Sequence, residues 1–232
     1  VCAPAPVCPG VVLATAAVVR EHPVYRRLEA LYTGPPSAID PAEVSLLLAT
    51  LRDPTVPVEA YLRRLDAMAQ EVRAAAPARC TQRCLLQALI RQMHHQWGFS
   101  AVEDPDGLYN NPDFDLVGQV LDHRRGYCEG LTVVYLALGR RLGLPLSAVR
   151  ARSHVFVRYQ GPDGVVDVET TDDGGPVAPQ REYGLCRARE GVFGVALDPR
   201  ETLGFIATVV GIMDGLAHKD ACSGKWRSRV RR

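Results

Sequence analysis

Cys128, His154 and Glu169 have the residue types and the chain order of a site for thiol chemistry on an acyl group. A thiol attacks a carbonyl carbon once a histidine has taken its proton, and a carboxylate holds the imidazole in the required tautomer. The backbone N–H of the residue that carries the thiol is a natural donor to the oxyanion that forms. The order therefore predicts a Cys-His-Glu triad that acts on amide bonds and uses no metal and no cofactor.

The stretch from Gly126 to Gly143, GYCEGLTVVYLALGRRLG, is predicted to contain the helix that presents the thiol. Its residues are apolar on nearly every side up to Arg140, and a helix that is apolar all round belongs inside a protein. Gly143 stands where a left-handed C-cap is expected, and Pro145 prevents the helix from continuing. Cys128 is therefore expected in the first turn of a buried helix.

The place of Cys128 at a helix start predicts a reactive thiol. The N–H groups and the dipole of a helix start favour thiolate over thiol, and a neighbouring imidazolium can lower a thiol pKa from about 8.5 to roughly 3–7.5. Glu129 opposes thiolate formation, although an acid in the first turn also pairs with the helix dipole. The alternative is that Cys128 is a small buried hydrophobic residue, which is the usual role of a free cysteine.

A hairpin is predicted to carry the other two residues. Residues 149–159 alternate and are rich in valine and aromatic residues, which predicts one strand that contains His154. The run Gly161-Pro162-Asp163-Gly164 predicts a turn, and residues 165–171 predict the returning strand. Both His154 and Glu169 are then expected in neighbouring strands.

The register of this hairpin decides which carboxylate serves His154. If the strands pair directly across the turn, Arg158 faces Asp167, and Glu169 lies diagonally from His154 on the same face. Asp167 is then explained as the partner of Arg158. Glu169 is therefore the better candidate for orienting the imidazole.

The preceding part of the chain predicts a layer of helices without evident chemistry. Asp40 and Thr81 are predicted N-caps of two helices, and a third helix is expected between them from near Pro57. Asp115 is predicted to cap a short helix that leads towards the thiol. A last helix is expected from Pro199 to roughly residue 215.

Together these elements predict an α+β protein. A helical N-terminal layer precedes a core in which the helix that carries Cys128 packs against an antiparallel sheet. We expect an irregular or helical lead-in over residues 1–22, the helical layer over 23–104, the core over 105–215 and a basic tail over 216–232. The apolar content of 47% in 232 residues is ample for a hydrophobic core.

Composition argues against nucleic acid and membranes as partners. Because 27 basic and 26 acidic residues give a net charge of +1, no global field attracts a polyanion. No apolar run reaches the roughly 18 residues that a membrane-spanning helix needs. The expected partner is a protein or peptide substrate. Since the chain begins with Val1, we expect that an initiator or signal peptide has been removed.

Seven cysteines bear on the compartment. The six besides Cys128 could pair as neighbours, an arrangement that an exported protein tolerates and that favours a periplasmic or extracellular location. These pairs would be Cys2–Cys8, Cys80–Cys84 and Cys186–Cys222. A reduced cytoplasmic protein is the alternative. His94 and His95 with Cys80 and Cys84 match no usual zinc spacing, so no metal site is predicted.

The segments VLDHRRGYCEGLTVVYLALGRRLGLPLSAVRARSHVFVRY and VVDVETT resemble the transglutaminase-like thiol superfamily. The resemblance is to the bacterial branch in which a helical layer precedes the core, often followed by tetratricopeptide repeats. It spans roughly residues 38–210, and residues 120–171 are its specific part. It implies Cys128 as nucleophile and His154 as general base. Glu169 stands where the superfamily usually has the aspartate of an Asp-Pro-Thr string, and Ser153 replaces a usual glycine.

The resemblance leaves two functions open. The first is hydrolysis or transfer of an acyl group, with hydrolysis favoured because the only tryptophans that could line an amine tunnel are Trp97 and Trp226. The second is a catalytically inactive scaffold that binds protein or peptide, since many members of the branch lack the cysteine. Tyr109, Asn110 and Gln119 could line the cleft or give an oxyanion donor by fold analogy.

Overall fold

A computed structural model of the chain describes residues 22–102, 112–151, 154–177 and 194–222. Its helices are α1 (Pro23–Thr33), α2 (Pro41–Arg52), α3 (Val58–Ala75), α4 (Gln82–Arg91), α5 (Val117–His123), α6 (Cys128–Leu142) and α7 (Pro199–Cys222). Its strands are β1 (Ser100–Ala101), β2 (Arg125–Gly126), β3 (Leu146–Arg150), β4 (Val155–Gly161) and β5 (Gly164–Val168). Short 3₁₀ turns cover Pro36–Ala38 and Pro112–Asp115, and a π-helical turn covers Gln92–Gln96. The fold is α+β, as the sequence predicts.

Helix α6 lies at the centre of the molecule. Helices α2, α3 and α5 pack on it from one side, and strands β3 and β4 pack on it from the other. All but three of its fifteen residues are buried, so a helix that is apolar all round occupies the interior as expected. Gly143 ends it in the left-handed conformation, with φ at 72°. The sequence prediction of this helix is confirmed from its first residue to its cap.

The helical layer begins where its caps predict. The Asp40 carboxylate accepts a hydrogen bond from the Ala42 N–H at 2.9 Å, and the Thr81 hydroxyl accepts one from the Cys84 N–H at 3.2 Å. Helices α2, α3 and α4 share one hydrophobic core with α6. The helical layer therefore buries part of the surface of α6.

Strands β3, β4 and β5 form an antiparallel sheet in that order. The predicted register is confirmed, because Arg158 lies opposite Asp167 across β4 and β5. The prediction of one strand over residues 149–159 is wrong. The chain reverses after β3, where the Ala151 N–H donates to the His154 carbonyl at 2.8 Å, so that His154 stands immediately before β4. Apolar alternation on both sides of the reversal hides it from a sequence pattern.

The returning strand β5 ends at Val168, three residues before the predicted end. Residues 169–175 form a turn instead. The Glu169 N–H donates to the Gly175 carbonyl at 2.9 Å, and the Gly174 N–H donates to the Glu169 carbonyl at 3.0 Å. Glu169 is thus held by its backbone just beyond the strand rather than within it.

The predicted capping role of Asp115 is wrong. The first N–H of α5, at Val117, donates instead to the hydroxyl of Ser45 on α2 at 3.1 Å. Asp115 lies in the preceding 3₁₀ turn with only 4% of its surface exposed. A side chain from a distant helix has taken the capping position, and the aspartate is directed into the protein.

The predicted pair Cys80–Cys84 forms a disulfide that brackets the start of α4. Cys2, Cys8 and Cys186 lie outside the described residues, so the other two predicted pairs stay predictions. Over the described ranges, no helix has the length and apolar character that crossing a membrane requires.

Gly130 should be a sensitive position for stability. A Cβ at Gly130 would collide with the carbonyl oxygen of Phe114 and lie 2.8 Å from a methyl group of Val120. We expect Gly130→Ala to lower the free energy of unfolding in urea by about 1–3 kcal/mol, because neither neighbour is free to move away. The matched control is Gly204→Ala in α7, where a Cβ meets nothing within 4 Å.

Removal of a helical glycine at Gly204 should raise the free energy of unfolding by about 0.4–1 kcal/mol. Equal effects of the two substitutions would contradict the close approach of the 3₁₀ turn to α6.

Candidate active site

Cys128 is the first residue of α6, and the side chain of the N-cap residue Tyr127 makes no capping hydrogen bond to the helix start. The residue is 6% exposed and belongs to a small apolar cluster with Leu136, Ala148 and Val155. The last two residues come from β3 and β4, so the sheet covers the sulfur. Among the described cysteines, Cys128 is a free thiol. Its backbone N–H lies at the positive end of the helix dipole, where it can stabilise an oxyanion.

His154 and Glu169 are hydrogen-bonded to each other. The His154 Nε2 lies 2.8 Å from the Glu169 Oε2. The other oxygen, Oε1, accepts hydrogen bonds from the Thr171 hydroxyl at 2.6 Å and the Thr171 N–H at 3.1 Å. Glu169 is 2% exposed, so water competes little for these contacts. The carboxylate is held by two side chains and cannot easily rotate away from the imidazole.

The state of this carboxylate fixes the tautomer of the imidazole. Burial opposes ionisation of Glu169, but hydrogen bonds from His154 and Thr171 outweigh it and hold the pKa of Glu169 below its ordinary value. An ionised carboxylate only accepts hydrogen bonds, so His154 Nε2 must donate. Nδ1 is then the ring nitrogen that can take a proton from a thiol.

The chain brings the residue that follows His154 against the sulfur. The backbone N–H of Val155 is directed at the Cys128 sulfur and favours its thiolate form. Val155 follows His154 directly in the sequence. The structure therefore places the helix start and the His154–Glu169 pair at the same end of α6 and β4.

Asp167 does not take part in this arrangement. Its two carboxylate oxygens accept hydrogen bonds from the Arg158 Nε at 2.6 Å and the Arg158 Nη2 at 2.8 Å. The hairpin register assigns these partners as the sequence predicts. Of the two neighbouring acids, Glu169 alone faces the imidazole within the described contacts.

A family model described as the transglutaminase-like superfamily matches residues 59–201, which is more than half of the 232-residue chain. The chain belongs to the transglutaminase-like superfamily. The resemblance drawn from the sequence is thereby confirmed. Membership in this superfamily generally implies thiol-dependent acyl chemistry.

Two bacterial relatives illustrate where this transglutaminase-like chain stands. It is 29% identical over 165 residues to the UPF0162 protein YchA of Escherichia coli strain K12, covering 70% of this chain and 46% of YchA. It is 31% identical over 117 residues to a UPF0162 protein of Xylella fastidiosa strain Temecula1, covering 50% and 39%. The chain thus spans less than half of the length of these curated relatives. No solved structure matches it.

The electrostatics of the transglutaminase-like site differ from the prediction of a lowered thiol pKa, which is wrong for this structure. Burial raises the pKa of the Cys128 thiol well above its ordinary value, and Glu129 raises it further. The thiol donates to the Glu129 Oε2 at 3.0 Å. Desolvation and a neighbouring anion together outweigh the helix dipole and the Val155 N–H. The thiol is therefore protonated at neutral pH.

Asp115 is a second acid near the thiol that sequence reasoning assigned to another role. Burial raises the pKa of Asp115 to about 8, and the nearby Glu129 raises it as well. Neither of its carboxylate oxygens has a hydrogen-bond partner of ordinary geometry within the described part of the chain. The Gly130 N–H lowers the pKa of Asp115 but does not cancel the effects of burial and Glu129. An aspartate within the largely apolar segment 114–121 is the sequence feature that could have indicated a buried acid.

The remaining sequence candidates do not join the site in the described residues. Tyr109 and Asn110 lie outside the described ranges. Gln119 lines a surface pocket with Tyr61 and Leu116, while the indole N–H of Trp97 donates to Glu71 at 3.0 Å. In the four described ranges, no group of three or more His, Cys, Asp or Glu side chains could hold a metal ion.

The contact between Cys128 and Glu129 makes a testable prediction. Glu129→Gln should lower the thiol pKa, because it removes the negative charge that stabilises the protonated form. The pH profile of iodoacetamide alkylation at Cys128 should then shift to lower pH, with a faster rate at pH 7. Peptide mass spectrometry identifies the alkylated residue.

Asp167→Asn is the matched control, because it also turns a carboxylate into an amide but lies against Arg158. We expect it to leave the alkylation profile of Cys128 unchanged. An unchanged or upward-shifted profile in Glu129→Gln would contradict the account of the raised thiol pKa.

Proposed function

We propose that this protein is a thiol hydrolase of amide bonds in proteins or peptides, with Cys128 as nucleophile, His154 as general base and Glu169 as the group that orients the imidazole. The observation that carries the proposal is the 2.8 Å hydrogen bond between His154 and Glu169, whose other oxygen is held by Thr171. His154 directly precedes Val155, and the Val155 N–H is directed at the thiol sulfur. Superfamily membership supports the acyl chemistry.

In the first half of the reaction, His154 Nδ1 takes the thiol proton and the sulfur attacks the amide carbonyl carbon. A C–S bond forms and the carbonyl π pair moves to oxygen, where the Cys128 N–H stabilises the oxyanion. The oxyanion then collapses, and the C–N bond breaks. His154 gives its proton to the leaving nitrogen, so an amine or ammonia departs and a thioester remains.

In the second half, His154 takes a proton from water as the water oxygen attacks the thioester. Collapse of the second oxyanion breaks the C–S bond and releases a carboxylic acid. The proton returns to the sulfur, which restores the starting state. Throughout the cycle, the Glu169 carboxylate stabilises the imidazolium and keeps Nε2 as the donor.

The resting site requires an activation step. Since the thiol donates to Glu129 and is protonated at neutral pH, it must exchange that partner for His154 before it can attack. Glu129 thus favours the unreactive, protonated form of the thiol.

Water is the favoured acceptor. A transferase must hold a neutral amine beside the thioester and exclude water, usually with an aromatic approach. Trp97 is engaged with Glu71 on α3, and Trp226 lies outside the described residues. The tryptophan content of the chain therefore gives no support for a dedicated amine tunnel.

A second candidate function is a catalytically inactive scaffold that binds protein or peptide. The observation that favours it is the raised thiol pKa together with the 6% exposure of Cys128. A buried neutral thiol is what a structural cysteine requires. The clamped His154–Glu169 pair favours the enzyme, because packing alone does not need an oriented imidazole.

The partner and the compartment remain part of the proposal. A net charge of +1 favours a protein or peptide partner over nucleic acid. The Cys80–Cys84 disulfide favours an exported, periplasmic or extracellular protein over a cytoplasmic one.

The triad is tested by comparing two neighbouring acids. Glu169→Gln should lower kcat on a cleaved peptide by at least about 100-fold, because a neutral amide no longer stabilises the imidazolium. Asp167→Asn should lose only a half-buried ion pair with Arg158, worth about 1–3 kcal/mol of stability, and keep near wild-type kcat. Circular dichroism checks that both variants are folded. The reverse ranking would show that Asp167 is the orienting residue.

The acceptor is tested with a glutamine-containing peptide library and a labelled primary amine. Ammonia release, peptide cleavage and label incorporation are followed together, with Cys128→Ala as the control for all three signals. We expect hydrolysis to exceed label incorporation. Label incorporation above hydrolysis would replace water by an amine in the proposal, and no product of any kind would favour the scaffold.

A further inference from the structure

A buried polar pair on the far side of the Glu169 turn is not used in the chemistry above. The His94 Nε2 lies 2.8 Å from the hydroxyl of Tyr135, and the His94 Nδ1 lies 2.9 Å from the carbonyl oxygen of Phe99. Tyr135 belongs to α6, two turns after Cys128, and is fully buried. His94 belongs to the π-helical turn Gln92–Gln96 that follows α4.

The hydrogen-bond directions of this pair are fixed by chemistry. A carbonyl oxygen only accepts, so His94 Nδ1 carries the proton and Nε2 accepts from the Tyr135 O–H. This assignment requires a neutral imidazole, and burial lowers the pKa of His94 accordingly. Burial also raises the pKa of Tyr135, so the phenol keeps the proton that it donates. The pair therefore has one arrangement in which every polar atom is satisfied.

The turn that carries Glu169 rests directly on this pair. A Cβ built on Gly174 would lie 2.5 Å from a methyl group of Ile90, 3.2 Å from the Tyr135 hydroxyl and 3.3 Å from the His94 ring. Gly174 also has φ at 72°, which few side chains tolerate. Its N–H donates to the Glu169 carbonyl at 3.0 Å. Gly174 therefore connects the pair to the backbone of Glu169.

The π-helical turn Gln92–Gln96 also lies against the turn that carries Glu169. π-helical turns are rare and are found frequently at functional sites. In this turn the His94 ring lies beside Tyr135, with the exposed Asp173 carboxylate 3.8 Å from the His94 Nδ1. Asp173 also has a positive φ of 49°. Two consecutive left-handed residues thus lie against a locally widened helix.

We propose that His94 and Tyr135 are positioning residues for the catalytic site, because they seat Gly174 and thereby set the Glu169 carboxylate against His154. The pair touches neither the thiol nor a substrate in this role. It acts through the 169–175 turn, whose two backbone hydrogen bonds hold Glu169 at the end of β5. This inference deepens the proposed function and rests on it for its catalytic meaning.

The test compares two glycines with the same backbone conformation. Gly174 and Gly143 both have φ at 72°, but a Cβ at Gly143 meets nothing within 4 Å. Gly174→Ala and Gly143→Ala therefore carry similar backbone strain, and only the first adds a methyl group against Ile90, Tyr135 and His94. Tyr135→Phe is a second variant that keeps the ring and removes the hydroxyl donor.

The readout is the His154 Nε2–H proton, observed by NMR in protein with ¹⁵N-labelled histidine. His154→Ala identifies this signal among those of the six histidines. We expect Gly174→Ala and Tyr135→Phe to speed its exchange with water on the order of tenfold, which corresponds to the loss of about one hydrogen bond. Gly143→Ala should leave the exchange rate near the wild-type value, although its thermal stability falls.

Wild-type exchange in both Gly174→Ala and Tyr135→Phe would overturn the proposal. So would equal acceleration in Gly143→Ala, because general destabilisation would then explain the effect. The readout needs no turnover, so it is independent of the proposed hydrolysis. Failure of the hydrolase would appear as the absence of product in the wild-type protein, whatever the exchange rates are.

Discussion

The burial of α6 on nearly every side is the constraint on which the rest of the structure depends. A helix that is apolar all round must be covered by other elements, and the helical layer and the three-stranded sheet pack against it. Burial also decides what happens at the helix start. Cys128 lies there under β3 and β4, where water is scarce and each nearby charge has a large effect on the thiol.

Three buried or half-buried carboxylates around this helix start have different partners, and the partners decide their roles. Glu169 accepts three hydrogen bonds, from His154 and Thr171, and is ionised. Asp115 has none of ordinary geometry among the described residues, and its pKa rises to about 8. Glu129 accepts a hydrogen bond from the Cys128 thiol. The site therefore contains one acid that supports an imidazolium and two that oppose a thiolate.

These different partners explain how the His154–Glu169 pair can be formed while the thiol remains protonated. The His154–Glu169 pair is already in place, with the imidazole in the tautomer that a general base needs. The thiol is held protonated by burial and by Glu129. In the proposed mechanism, the thiol exchanges Glu129 for His154 as its hydrogen-bond partner, while the His154–Glu169 pair is already formed.

Local sequence signals predicted the parts of the fold that depend on neighbouring residues. The caps at Asp40 and Thr81, the end of α6 at Gly143 and the pairing of Arg158 with Asp167 all follow from short-range rules. The reversal before His154 was missed, because valine-rich alternation continues across it.

What depends on distant contacts could not be predicted in this way. The role of Asp115 is decided by Ser45, which takes the capping position from another helix. The raised thiol pKa comes from the sheet that covers Cys128. The pairing of His94 with Tyr135 joins residues 41 positions apart, and no spacing rule connects them.

We propose that Glu129 and His154 compete for the proton of Cys128, and a double-mutant cycle tests this competition directly. The rate of iodoacetamide alkylation at pH 7 is measured for the wild-type protein, Glu129→Gln, His154→Ala and the double variant. If the two side chains compete, Glu129→Gln accelerates alkylation strongly when His154 is present and much less when it is absent. An equal acceleration in both backgrounds would show that the imidazole does not receive the thiol proton, and would contradict the competition between Glu129 and His154.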